Sequence, residues 1–227
     1  MGFLTLLVAD RAVRAAQDAD DPVRIAAARW NLGHVLLSHP DLDAADEAKD
    51  VALAAVDELR RQPAPTKDAR AVQGALELVA VVADARRRRP EQARDRLHTK
   101  AEPLARAVGE GNAHWTVFGP TNVGLHAMSI EMMAGQAATG LKVADHIDTT
   151  HLPSRERQFT CLEVARCHDL RREDAAVLVH LLQLEELAPE DLARSPLAQD
   201  MIRSLRKRVR PTFRGQVTDL ADRLYIA

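Results

Sequence analysis

The side chains best suited to molecular recognition lie close together in the middle of the chain. Residues 115–126 contain two large aromatic residues, two threonines, an asparagine and a histidine, although aromatic residues make up only 3% of the sequence. Alanine and leucine would suffice for helix packing, so this variety predicts a surface that recognises a ligand or a partner. The candidate binding residues in this segment are Trp115, Phe118, Thr121, Asn122 and His126.

Three further candidates lie in an early helical pattern: Trp30, Asn31 and His34. An asparagine amide both donates and accepts hydrogen bonds, so Asn31 and Asn122 are suited to hold a peptide backbone. The structural alternative is that both tryptophans anchor the core and that Asn122 caps the turn after Gly119-Pro120. The residue types alone leave both interpretations open.

No pattern in the sequence predicts catalysis or metal binding. The nine histidines lack the paired spacing of a zinc-binding helix, and neither a phosphate loop nor a serine-nucleophile elbow occurs. The two cysteines, Cys161 and Cys167, lie six residues apart on different faces of one predicted helix, which makes a disulfide between them implausible. We therefore expect no catalytic residue, no metal, no cofactor and a reducing, cytoplasmic environment.

The charge pattern argues against nucleic acid and membrane partners. The sequence has 31 basic and 33 acidic residues, a formal net charge of −2. The basic runs Arg86–Arg89 and Arg203–Arg210 are expected to be solvated helix ends, since no aromatic residues are interleaved with them. The apolar opening Phe3–Ala9 is too short to span a membrane. We expect no direct specific DNA binding by this chain alone.

Prolines separate the helical patterns, and no segment shows the sustained alternation of a strand. The sequence predicts eleven helices, at 3–18, 22–38, 43–61, 67–88, 90–108, 119–134, 137–149, 154–168, 172–187, 196–209 and 213–225. Asp21-Pro22 and Ser195-Pro196 are typical of helix starts. Pro103 is expected to kink the helix that contains it.

A small residue midway along one helix and an alanine early in the next recur down the chain. The small residue is a glycine at Gly33, Gly74 and Gly124, and an acidic, alanine-bearing helix follows Gly33 and Gly74. The pattern resembles the tetratricopeptide repeat, at an irregular spacing of roughly 35 to 50 residues against about 34. The resemblance implies one right-handed α-α superhelix over 1–227, with ligands in the concave groove formed by the first helices of successive repeats. The candidate binding residues are expected near that groove.

A closer resemblance rests on residues 30–37, 109–126 and 152–157, and most strongly on Phe118-Gly-Pro-Thr-Asn-Val123. These segments resemble the C-terminal sensor region of actinobacterial regulators that carry a Cro/C1-type (XRE-type) helix-turn-helix at their N-terminus. The helix-turn-helix that such regulators use is expected to be absent from this sequence. The resemblance therefore implies the signal-receiving half of such a regulator.

These patterns together predict a regulatory sensor domain that recognises a peptide or a small molecule in its helical groove. Binding would shift the angles between helices and pass the change to a partner domain. The alternative is a stand-alone tetratricopeptide scaffold for protein–protein interaction, and an enzyme is a third, weaker alternative. Both binding roles are compatible with a homodimer.

Overall fold

The computed structural model describes residues 2–148, 150 and 154–226, and within them the chain is all-α, with twelve helices and no strand. Contacts divide the chain into two compact units, Met1–Ala134 and Gly135–Ala227. Each unit is described by itself. The prediction of a single superhelical repeat domain over 1–227 stays a prediction.

Unit 1 contains the first six helices. They are α1 (Gly2–Asp18), α2 (Pro22–Leu37), α3 (Asp43–Arg60), α4 (Lys67–Arg86), α5 (90–108) and α6 (Pro120–Met133). Unit 2 contains the other six: α7 (Ala137–Ala144), α8 (Ser154–Leu170), α9 (Asp174–Leu187), α10 (Pro189–Arg194), α11 (Pro196–Arg208) and α12 (Pro211–Arg223).

The eleven predicted helices correspond to eleven of the twelve observed, mostly within two residues at each end. The predicted helix 137–149 is the exception, since α7 ends at Ala144 and residue 149 lies outside the described residues. The prediction missed α10, whose six residues are too few to show a helical pattern. Asp21 and Ser195 cap α2 and α11 as expected, because their side chains accept hydrogen bonds from Val23 N and Ala198 N.

Pro103 changes the geometry of α5. A proline has no N–H to donate to the carbonyl four residues earlier, and its ring needs space there. The segment directly before it, Leu97–Ala101, forms a π-helical turn between the α-helical segments Pro90–Arg96 and Glu102–Val108. The wider turn accommodates the proline at the position where the sequence predicts a kink.

The core of unit 1 is built around α4, which packs against α2, α3, α5 and α6. Gly33 lets α2 approach α4 closely, since a Cβ at this position would lie 2.8 Å from Cγ1 of Val79. The repeat pattern instead predicts that this small residue lies where α2 crosses α3, its partner in the repeat. The close approach is therefore between helices two apart in the chain.

Unit 2 has its own apolar core, in which α9, α11 and α12 bury leucine or isoleucine side chains and α8 contributes Ala165. Its largest fully buried side chains are Leu181, Ile202, Leu205 and Leu220. Arg208 of α11 ties this core to the α8–α9 connection, because its guanidinium bonds both Asp169 and Asp174. That part of the basic run 203–210 is therefore an internal ion pair.

Candidate functional site

All eight predicted binding residues lie in unit 1, on α2, on α6 and on the connection between α5 and α6. Trp30 is half-buried and packs against the same apolar cluster that contains Phe118, so the structure brings these two together. The Trp30 ring meets the His34 ring edge-on, with centroids 4.6 Å apart. Asn31 is exposed, and its Nδ2 donates to Ala27 O of its own helix.

The connection between α5 and α6, residues 109–119, is named the Trp115 loop here. Its backbone is left-handed at Gly109 (φ 69°) and at three non-glycine residues, His114 (49°), Trp115 (65°) and Val117 (48°). Each such residue costs about 1–3 kcal/mol of backbone strain, and valine is an unusual residue there because it is β-branched. Three left-handed non-glycine residues within the four residues 114–117 indicate that the backbone of this loop is strained.

Left-handed residues elsewhere in the described chain have an ordinary explanation. Five residues outside the loop are left-handed, and each lies two positions beyond the end of a helix: Gly135 and the non-glycine residues Asp20, Arg88, Arg172 and Tyr225. A left-handed residue is common where a helix ends. The Trp115 loop differs because its left-handed residues are clustered.

Phe118 anchors the loop to α4. Its side chain is 1% exposed and lies over Gly74, where an added Cβ would be 2.0 Å from Phe118 Cζ. A glycine in the middle of a helix is unfavourable by about 1 kcal/mol relative to alanine, so its presence here is explained by the close approach of the ring. The Phe118 side chain is thus part of the core and does not face a ligand.

Glu110 anchors the other side of the loop and caps α6. One of its carboxylate oxygens, Oε1, accepts hydrogen bonds from both N and Oγ1 of Thr121, each at 2.9 Å. Gly119, at the N-cap position of α6, has no side chain to perform this task, and a Cβ there would lie 2.4 Å from Glu110 Oε2. Glu110 therefore supplies the negative charge and the acceptor that a helix N-terminus favours.

Two short-range hydrogen bonds hold the middle of the loop. Asn112 Oδ1 accepts from Val117 N at 3.1 Å, and Thr116 Oγ1 donates to Ala113 O at 2.7 Å. Within this frame the Trp115 side chain is 83% exposed. The loop therefore holds a large aromatic side chain in water on a constrained backbone.

Asn122 and His126 lie one turn apart on α6, and both are partly buried. His126 Nδ1–H donates to the Asn122 carbonyl at 2.9 Å, and burial lowers the pKa of its imidazole, so the ring is neutral at pH 7. The Asn122 side chain makes no hydrogen bond to any described residue. The cap of this helix is Glu110, which leaves the Asn122 amide available to a ligand.

The sequence analysis missed two buried carboxylates on α4, Glu77 and Asp84, each 1% exposed. Glu77 bonds Arg60 of α3 at 2.9 Å and Arg96 of α5 at 2.7 Å, and Asp84 bonds Lys49 of α3 at 2.6 Å. Their seven-residue spacing across the wholly apolar stretch 78–83 was the available signal. Because each carboxylate already has a cationic partner, we assign them a structural role, which is to tie α3 and α5 to α4.

In unit 2, Cys161 lies beside His180, with Sγ 3.9 Å from Nδ1 and 3.2 Å from the carbonyl oxygen. Burial raises the pKa of the Cys161 thiol to about 11, so it is protonated at neutral pH and is a poor nucleophile. The His180 ring stacks on His168, which bonds Glu173 at 2.6 Å. No group of three or more potential metal ligands occurs among the described residues.

None of the helices in the described ranges combines the length and the hydropathy that a membrane span requires. Neither a protein-family model, nor a curated protein, nor a solved structure matches this chain. The geometry of the Trp115 loop is therefore the observation from which a function is proposed.

Proposed function

We propose that this chain is a regulatory binding module and that the Trp115 loop is its contact surface for a peptide or protein partner. The observation that carries the proposal is Trp115 itself, 83% exposed on a loop with three left-handed non-glycine residues. Exposing an indole and straining its backbone both oppose folding. A partner that covers the indole accounts for both features.

The way in which the loop is held supports this role. Phe118 and Glu110 fix its two sides, so Trp115 is presented in a preformed position and binding loses little conformational entropy. Tryptophan is among the residues that most often dominate the free energy of protein–protein binding. The unpaired Asn122 amide on α6 adds a donor and an acceptor for a peptide backbone.

The resemblance to the sensor regions of Cro/C1-type regulators favours a role in signal reception, with the bound peptide or small metabolite as the signal. A stand-alone scaffold is the alternative, and it would use the same loop. The DNA upstream of the first codon distinguishes the two roles. An in-frame helix-turn-helix favours the sensor, and a stop codon directly upstream favours the scaffold.

The test compares Trp115→Gly with Tyr225→Gly as a matched control, since Tyr225 is also an exposed aromatic residue at positive φ. Native mass spectrometry of the full chain first identifies a copurifying peptide or protein, and calorimetry then measures its Kd for each variant. We expect Trp115→Gly to weaken binding at least tenfold without lowering stability, because glycine adopts a positive φ freely. Tyr225→Gly should bind normally. A partner that binds Trp115→Gly and the unaltered chain equally well would refute the proposal.

A further inference from the structure

A second surface of unit 1 has the shape of a small-molecule site. A cleft of about 770 Å³ lies where α1, the C-terminal end of α2 and the first turns of α3 meet. Its volume is within the range of about 300–1,000 Å³ found for pockets that bind drug-sized ligands. None of the predicted binding residues lines it.

The floor of the cleft is apolar. The side chains that form it come from all three helices and from the turn between α2 and α3: Leu6, Val35, Leu36, Pro40 and Ala44. Leu36 is 5% exposed and belongs to the core, whereas Leu6 and Pro40 are exposed and bring apolar surface to the cleft. An apolar ligand body of the right size would be removed from water here.

The wall formed by residues 37–41 is held in place from α4. Arg86 of α4 donates hydrogen bonds to Leu37 O and to His39 O, the latter at 2.7 Å. His39 Nδ1 in turn accepts from Asp41 N at 3.2 Å. The cleft is therefore formed before a ligand arrives, which favours binding.

The rim of the cleft is acidic. It includes three carboxylates, Asp41, Asp43 and Glu47, and no lysine or arginine lines the cleft. Asp41 accepts from Asp43 N at the start of α3, and Asp43 lies 3.7 Å from Arg87. Glu47 is exposed and makes no hydrogen bond or ion pair with a described residue.

The ends of α2 and α3 at the cleft also contribute to its electrostatic potential. The C-terminal end of α2 contributes carbonyl oxygens and a partial negative charge. The N-terminus of α3 has the opposite polarity, and Asp43 and Asp46 in its first turn offset it. Glu47 lies beyond that turn, so stabilising the helix end does not explain its position.

We infer that this cleft binds an amphipathic organic cation, with the apolar body on the leucine-rich floor and the ammonium group beside Glu47. Charge complementarity carries the choice of a cation, since every charged group that lines the cleft is acidic at neutral pH. The site lies apart from the Trp115 loop in the sequence and shares no residue with it. It therefore stands independently of the proposed function.

The test uses three probes with the same eight-carbon chain, namely octylammonium, octanol and octanoate, titrated into the full chain by calorimetry below their micellar concentrations. Octylammonium is expected to bind most tightly and octanoate least tightly. Glu47→Gln should weaken octylammonium binding by about 2- to 5-fold, the size typical of an exposed charge pair, and leave octanol binding unchanged. Asp50→Asn, an exposed acid of α3 outside the cleft, is the matched control and should change neither.

A second variant tests the location. Ala44→Phe fills the floor of the cleft and should abolish octylammonium binding while circular dichroism shows the same helical content. Trp115→Gly should bind octylammonium normally, which separates this site from the loop. Equal affinity for octanol and octylammonium, no binding of any probe, or no effect of Glu47→Gln would each overturn the assignment.

Discussion

Replacing Gly74 by alanine is expected to destabilise unit 1, although alanine is the better helix former. In the middle of an exposed helix this change stabilises by about 1 kcal/mol. At Gly74 the new Cβ would lie 2.0 Å from Cζ and 2.3 Å from Cε1 of Phe118. Carbon atoms do not approach so closely, so either the ring leaves its place or α4 shifts.

The magnitude follows from the burial of Phe118, which is 1% exposed. Expelling a fully buried phenylalanine loses about 1.5–3 kcal/mol of hydrophobic stabilisation. Subtracting about 1 kcal/mol of helix propensity leaves a net loss of about 0.5–2 kcal/mol. The Trp115 loop would lose its anchor together with the ring.

The sign should reverse when the ring is absent. In a Phe118→Ala background, Gly74→Ala meets no ring and is expected to be neutral or to stabilise by up to about 1 kcal/mol. Urea unfolding followed by tryptophan fluorescence measures this, because both tryptophans lie in unit 1. Gly215→Ala on α12, where nothing lies within 4 Å of the new Cβ, is the control and should stabilise. Because Gly215 lies in unit 2, its unfolding is followed by circular dichroism. Equal destabilisation in both backgrounds would refute the reasoning.

Three further predictions concern groups inside the fold. Burial lowers the pKa of His126 and His180, so these side chains bind protons more readily in the unfolded chain than in the folded one. The free energy of unfolding should therefore fall as the pH drops below about 6.5. Urea midpoints at pH 8 and pH 5.5 measure this loss, and His180→Gln should reduce it. Glu77→Ala removes the buried partner of two arginines and should lower the free energy of unfolding, measured with urea, by about 3 kcal/mol. Asp50→Ala, at an exposed residue, should lower it by less than about 0.5 kcal/mol. Asn122→Ala should leave the melting temperature nearly unchanged and weaken partner binding by about 0.5–1.5 kcal/mol; a large drop in melting temperature would show a structural role instead.

The helices could be predicted because their limits depend on local chemistry. Asp21 and Ser195 cap helices whatever lies elsewhere in the fold, and Pro103 disturbs a helix through its own missing N–H. Those signals need only neighbouring residues. The short helix α10 was not predicted, because six residues are too few to show a helical pattern of apolar residues.

Contacts between distant segments could not be predicted in the same way. Trp115 and Phe118 are both large aromatic residues three positions apart, yet one is 83% exposed and the other is 1% exposed. The difference depends on Gly74, more than forty residues earlier in the chain, which provides the space for one ring only. In the same way, the cap of α6 is Glu110 from the preceding loop rather than Asn122 within the helix.

The conflict between local preference and observed structure is what makes the Trp115 loop informative. Along most of the described chain the two agree: helix formers lie in helices, and left-handed residues follow helix ends. At Trp115 they disagree twice, since a residue that favours burial is exposed and a residue that avoids positive φ adopts it. Proteins tend to break such rules at functional sites and to compensate elsewhere. The compensation is visible here in Phe118, which packs over Gly74, and in Glu110, which accepts hydrogen bonds from Thr121.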